Sequence, residues 1–443
     1  MKKIWFLTYN ILFLPIFWIV INFFSFFNKK IRKGILERRN LFESLDIALK
    51  SFDKDRDNII IHCSSLGEFE QAKPVFEELD KTDRFNFVIS FFSPSGFHHA
   101  KFDSNIKSPI IKTYLPFDSM PNVNRFISAI NPKAVIFIKY DLWLNLLNKL
   151  KSEGIFRLLI NATYNEKSFK WKFFISRSYR KTVHDYFNVI STSEEDDKIE
   201  LEKVLSPKVK IVVSGDTKLE RIEKAKESSK NRTLLNGSII GNKKVLVVGS
   251  SWDSDMDILL PVIDKINCNK KSGEKALISI IAPHEPNEHT LLGIEEKIKD
   301  EYNNLRVIRY SNIEKFKNEN LILIDSIGLL LILYKYADIA YVGGGWRSGI
   351  HNVMEPAGYG IPVLFGNEKL TEDAELLIET GGGVAVGDKR SLYRNLLHLL
   401  TDMDERIRMG ARSQSVFLNN QGTSKKISRL LMQNINRERE ISV

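Results

Sequence analysis

The chain has 443 residues, 43% of them hydrophobic and 27% charged. This excludes a disordered or low-complexity protein and exceeds what one hydrophobic core usually organises, so two domains are expected. Its net charge of +10 favours anionic partners such as phospholipid, nucleotide or nucleic acid, while the only cysteines, Cys63 and Cys268, form no CxxC pair, which argues against a disulfide framework or a cysteine-built zinc site and for a reducing, cytosolic setting.

From Ile4 to Asn28 there is no charged residue, and Phe, Ile, Leu and Trp dominate. At about 1.5 Å per residue this run can cross a hydrocarbon core of about 30 Å with some tilt. Lys2 and Lys3 precede it, and Lys29, Lys30, Arg32, Lys33, Arg38 and Arg39 follow it, a bias that puts the globular part in the cytoplasm. The run is long for a signal peptide and no small-residue cleavage site follows. Asn10, Pro15 and Asn22 inside it leave open a helix that lies in the interface instead of spanning.

Beyond this anchor, apolar runs of strand length alternate with amphipathic stretches of helix length, the pattern of parallel sheets covered by helices. Strands are expected at Asn58–His62, Asn86–Ser90, Ala134–Ile138 and Arg157–Ile160, and again at Lys244–Gly249, Ala276–Ile280, Leu321–Ile324, Ile339–Val342 and Ile361–Phe365. Between the two sets, 224–242 is rich in Lys, Ser, Asn and Gly and reads as the linker. The expected plan is an anchor over 1–33, one Rossmann-like domain over 34–223, the linker, and a second such domain over 243–443 with helices at its end. From Asp404 onward the chain reads as one or two polar helices, and a C-terminal helix that returns to the first domain fits this fold class.

Open α/β sheets bind ligands beyond the carboxyl ends of their strands, so residues just after strands are the candidates. After Val342 come Gly343, Gly344 and Gly345, then Gly349, His351, Asn352, Glu355 and Pro356. Glycines let backbone approach a phosphate, and a helix beginning near Ile350 would aim its free N–H groups and positive dipole end at that anion. Glu355 in its first turns can accept hydrogen bonds from two vicinal ribose hydroxyls. A glycine turn that only packs strand on helix is the plain alternative. Glu68, just after the first strand, reads either as an acid favoured by the dipole of a helix start or as a carboxylate directed into a cleft. Ser250 and Ser251 follow another strand and suit a donor phosphate or ordinary N-capping.

The segment Gly343–Pro356 resembles the nucleotide-binding signature of 3-deoxy-D-manno-octulosonic acid (Kdo) transferases, which attach Kdo from CMP-Kdo to the lipid A precursor. Ile61-His-Cys-Ser-Ser-Leu-Gly-Glu-Phe-Glu70, Tyr114-Leu-Pro-Phe-Asp118, Ile138-Lys-Tyr-Asp-Leu-Trp143, Asn161-Ala-Thr163, Gly249-Ser-Ser-Trp252, Pro283-His284 and Asp325-Ser-Ile-Gly328 resemble further blocks of that family, in order along nearly the whole chain. The resemblance implies a GT-B fold, two Rossmann-like domains with parallel sheets facing a central cleft. It also implies inverting transfer, with Glu68 as the general base. Donor contacts would come from Ser250, Ser251, His284, Gly344, Gly345, Gly349, His351, Asn352 and Glu355. His284 is similar to the histidine of a Pro-Arg-His motif, but Pro283 directly precedes it, so the family arginine is missing and Arg347 or Lys139 is left to supply the charge. Lys139 and Asp141 fall on the acceptor side, and Glu70 on the surface.

The implied partners are CMP-Kdo, the lipid A precursor and the anionic inner-membrane surface, with the catalytic domains on its cytoplasmic face. No cofactor and no metal is expected. Asp253-Ser-Asp255 has the form of a metal-binding DxD pair but opens a helix, where acids are ordinary capping material. A GT-B enzyme that uses a UDP-sugar remains the alternative. A nucleic-acid protein or membrane scaffold is disfavoured, because the basic residues are scattered and no RNP-like or zinc-knuckle pattern appears.

Overall fold

The computed structural model of the protein describes residues 2–139, 141–164, 171, 173–268, 277–346, 349–420 and 422–441. It divides into two compact units, Met1–Arg221 with Asn420–Val443, and Ile222–Asn419. Each contains one sheet of seven strands, all parallel.

In the first unit the strands are β1 (Asp57–Cys63), β2 (Phe85–Phe91), β3 (Ile110–Tyr114), β4 (Ala134–Ile138), β5 (Phe156–Ala162), β6 (Val189–Thr192) and β7 (Lys210–Val213), in the order β3-β2-β1-β4-β5-β6-β7. The second sheet holds β8 (Lys244–Ser251), β9 (Leu277–Pro283), β10 (Val307–Arg309), β11 (Leu321–Leu323), β12 (Ile339–Val342), β13 (Val363–Gly366) and β14 (Gly383–Val386), in the order β10-β11-β9-β8-β12-β13-β14. The strands expected from apolar runs are present, with Ala276 alone outside the described residues. The central ones are buried on both faces, as parallel strands under helices must be: Ile59 to Cys63 and the whole of Phe85–Phe91 are covered. The strands that no apolar run announces, β3, β6, β7, β10 and β14, lie at or next to sheet edges. There one side is open and polar residues enter, as in β7, where Lys210 and Val213 are exposed.

The units differ from the expected boundaries at two places. The stretch 224–242 is not extended linker: it holds the end of helix Thr217–Ser229 and the short helix Gly237–Ile240. The last residues belong to the first unit, because helix Thr423–Ile441 buries Ile427, Leu431 and Ile435 in the core that contains Ile59, Ile61 and Phe87. Ser424 N–H and Oγ both donate to the Glu220 carboxylate at 2.6 Å.

Helical structure runs from Lys2 to Phe27 with one π-helical turn at Tyr9–Phe13, and this segment is long and apolar enough to cross a membrane. Its first half is fastened to the first unit. Lys2 Nζ donates to Asp185 O at 3.1 Å and Trp5 Nε1 to Ser178 Oγ at 2.9 Å. Tyr9, buried, donates to Asp118 Oδ2 at 2.8 Å, and Asn10 exchanges hydrogen bonds with Asn145. Asp118 also accepts the Asn145 and Leu146 N–H groups at 2.9 Å. The opposite face, including Ile11, Trp18, Ile19 and Phe23, is exposed.

Candidate active site

In each sheet two strands far apart in sequence lie side by side at the centre, β1 beside β4 and β8 beside β12. These are the topological switch points at which α/β sheets open a crevice beyond their carboxyl ends. The sequence-derived candidates fall at these two places, one group in each unit.

In the first unit, β1 leads into helix Leu66–Asp80, capped by Ser65, whose side chain accepts the Glu68 N–H. The Glu68 carboxylate reaches back and accepts the Ser64 N–H, an arrangement akin to a capping box. Burial pushes the Glu68 pKa up; the Ser64 hydrogen bonds and the nearby His62 oppose this, and the Asp141 charge adds to it. His62, buried at the end of β1, holds two partners at once, with Nδ1 2.9 Å from Ser90 Oγ and Nε2 3.0 Å from Asp141 Oδ2. Glu68, His62 and Asp141 therefore form one electrostatic cluster. Lys139 follows β4 directly with φ of +57°, a backbone state rare for a side chain of its size and one that clusters at functional sites. The Asp141 charge also acts on Arg38, where burial pulls the pKa down to about 10, with Tyr114, Asp141 and Glu37 opposing. Glu70 turns away to pair with Arg221 at 2.9 Å and Lys73 at 3.4 Å.

In the second unit, Ser250 sits at the end of β8 with φ of +53°. Ser251 Oγ is buried and has no hydrogen-bond partner among the described residues. Ser251 O accepts the His284 N–H at 2.9 Å. Three rings then stack: Trp252 on His284 at 4.4 Å, and His284 on His351 at 4.3 Å between centroids. Trp252 Nε1 donates to His351 Nε2 at 2.9 Å, which leaves Nδ1 of the neutral imidazole as its N–H donor. Burial lowers the His351 pKa, and His284 lowers it further.

The glycine tract behaves differently from expectation in part. Gly344 has φ of +96°, and a Cβ on it would collide with Gly349 O; one on Gly345 would meet the Gly366 backbone at 2.6 Å. Backbone packs against backbone here, and some of the N–H groups are spent inside the loop, Gly343 N on Gly249 O and Gly344 N on Asp255 Oδ2, both at 2.9 Å. The helix expected near Ile350 begins only at Met354 and has five residues, because the chain from Gly349 to Val353 turns without helical hydrogen bonding. Glu355 lies in that short helix and accepts the Asn352 Nδ2–H at 3.1 Å. Arg347 lies outside the described residues.

Residues 34–221 match the family model of 3-deoxy-D-manno-octulosonic-acid transferase (Kdo transferase). Over 381 residues the chain is 25% identical to the 3-deoxy-D-manno-octulosonic acid transferase of Haemophilus influenzae, a match covering 84% of this chain and 86% of that one. The corresponding Aquifex aeolicus protein is 26% identical over 354 residues, 77% of this chain and 85% of the relative. A bifunctional glycosyltransferase/methyltransferase of Fusobacterium nucleatum is 31% identical over 324 residues; these make up 71% of this chain but 48% of that protein, so the chain spans about half of its length. The chain is similar to Kdo transferases over most of its length.

The fold of this chain is also that of UDP-N-acetylglucosamine 2-epimerase from Listeria monocytogenes. The TM-score is 0.59 at 15% identity, over 86% of this chain and 97% of that one. The likeness is one of GT-B architecture alone.

Three contributors were not legible as site residues in the sequence. His62 and Trp252 stand inside matched segments but find their partners 79 and 99 residues away. Asp255 is fully buried and ties Trp252 N–H, Gly344 N–H and Tyr341 Oη together at 2.9 Å each. Of the Asp253-Ser-Asp255 pair, Asp255 is thus the keystone of the loop.

Proposed function

We propose that this protein is an inverting glycosyltransferase that moves Kdo from CMP-Kdo onto a hydroxyl of the tetraacyl disaccharide bisphosphate precursor of lipid A. The observation that carries the reading is the placement of Glu68. It is a half-buried carboxylate with a raised pKa at the β1/β4 switch point, in the unit that the Kdo transferase model covers. Glu68 takes the proton of the acceptor hydroxyl, the oxygen forms the new bond to the anomeric carbon, and the bond to CMP breaks with its electrons leaving on the phosphate. Lys139 and Asp141 line the acceptor side.

In the second unit Ser250, Ser251, His284 and His351 hold the phosphate and carboxylate of the donor. The unpartnered Ser251 hydroxyl and the Nδ1–H of His351 are its most direct donors. Gly344, Gly345 and Gly349 shape the loop against the nucleotide, and Asn352 orients Glu355 for the ribose hydroxyls. Neither a metal nor a cofactor enters this scheme. The apolar face of Lys2–Phe27 seats the enzyme on the cytoplasmic side of the anionic inner membrane; because the helix is fastened to the body through Tyr9 and Asn10, it lies along the surface instead of crossing.

Membranes containing the protein, incubated with CMP-Kdo and the tetraacyl precursor, are expected to yield lipid heavier by the mass of one or more Kdo residues. CMP, and not UDP, is expected to compete with the donor. A lipid that gains no mass overturns the assignment.

A further inference from the structure

A cavity of about 180 Å³ lies within the first unit, and of the groups described above only Arg38 lines it. Its walls come from the anchor helix through Ile21, from helix Lys29–Glu37 through Ile31, Gly34 and Ile35, and from the segments after β2 and β3 through Phe92, Pro94 and Phe117. An apolar cavity of roughly 150 Å³ is enough to take up benzene, so this one suits a short stretch of hydrocarbon.

Arg38 forms part of the lining, but its charge is already satisfied. Its guanidinium donates to Leu115 O at 2.9 Å, Gly34 O at 2.8 Å and Phe92 O at 2.6 Å. It also lies 4.5 to 5.0 Å from the ring centroids of Tyr114, Phe92 and Phe117. It braces the wall and asks nothing of an occupant. Two further features say what enters. The wall supplied by Ile21 continues into the exposed apolar residues Trp18, Phe23, Phe24 and Phe27, and Lys30 at the cavity with Arg32 and Lys33 beyond it are exposed cations suited to a phosphate group. The inner wall is joined to the base: Ser93 N–H donates to Ser64 O at 2.8 Å, and Ser64 N–H donates to Glu68.

We infer that this cavity receives an acyl chain of the phosphorylated glycolipid acceptor, holding the lipid so that its sugar hydroxyl stands at Glu68. The inference rests on the proposed function and deepens it. The acyl chain is recognised by Ile21, Ile31, Ile35, Phe92 and Phe117, and the lysine-rich edge meets the phosphate.

The test compares the tetraacyl disaccharide bisphosphate with its fully deacylated counterpart in the full-length protein, using wild type, Ile31→Trp, which fills the cavity, and Ile31→Ala, which enlarges it. Direct binding of each acceptor is measured beside transfer. Both variants are expected to weaken binding of, and raise KM for, the tetraacyl acceptor roughly tenfold or more, with KM for CMP-Kdo unchanged and phosphatidylglycerol vesicles unable to compete. A variant that leaves the acylated acceptor unaffected, or that weakens both acceptors equally, overturns the inference, as does full competition by phosphatidylglycerol. If wild type binds the acylated acceptor in an Ile31-sensitive way but transfers no Kdo, the functional reading falls and the cavity assignment stands; transfer without Ile31 sensitivity does the reverse.

Discussion

A carboxylate that takes a proton from a sugar hydroxyl works best with a pKa near the working pH. Burial lifts Glu68 in that direction while the Ser64 hydrogen bonds and His62 restrain it. The base must be ionised to act, and burial raises its pKa above the ordinary glutamate value. The rate is therefore full above that raised value and falls as pH drops through it. In a pH profile of kcat/KM the acid limb is expected at higher pH than an ordinary glutamate gives. Glu68→Gln is expected to lower kcat by about 10² to 10⁴, to remove that limb and to keep the KM for CMP-Kdo. Substantial turnover in this variant removes Glu68 from the role of base. The candidacy of Glu68 was readable from its place after a strand, but its environment was not: His62 and Asp141, which both act on it, pair with each other across 79 positions of the chain, and no local pattern encodes that pairing.

At the scale of elements, apolar runs announced the central strands because burial on both faces forces them to be apolar throughout. The edge strands are free of that demand and stayed unread. The glycine tract was visible as a functional feature, yet much of its glycine content answers to backbone packing, Gly345 against Gly366 above all. The N-terminal helix shows the same mixture. Its apolarity was plain, while its docking through Tyr9 onto Asp118 was not.

That docking is sensitive to pH. Burial raises the Asp118 pKa from 3.8 to about 7, with the Asn145, Tyr9 and Leu146 hydrogen bonds opposing. A raised folded-state pKa gives stability that is complete below the unfolded value and lost as pH climbs through the folded one. The urea midpoint of wild type relative to Asp118→Asn, followed from pH 5 to pH 8, is expected to decline from pH 5 and to level off once pH passes about 7. A difference independent of pH shows that Asp118 stays ionised throughout and refutes the linkage.

Over the whole molecule, order in the chain and membership of a core part company. Helix Thr423–Ile441 follows the entire second sheet in sequence, yet Ile427, Leu431 and Ile435 fill the core of the first. The tail read as polar helices, and its return to the first domain was expected from the fold class alone, because an apolar stripe such as these three positions specifies burial and not a partner. Leu431 is fully buried, so Leu431→Ala removes its methyl groups from a packed interior at a cost of about 2 to 5 kcal/mol. The loss is expected to fall on the unit that contains Glu68. Amide hydrogen exchange should accelerate in β1, β2, β4 and β5 while β8, β9 and β12 keep their protection, since the cores of the second unit contain no residue of this helix. Faster exchange in β8 and β12 instead, or none in β1, would place the helix with the unit it follows in sequence.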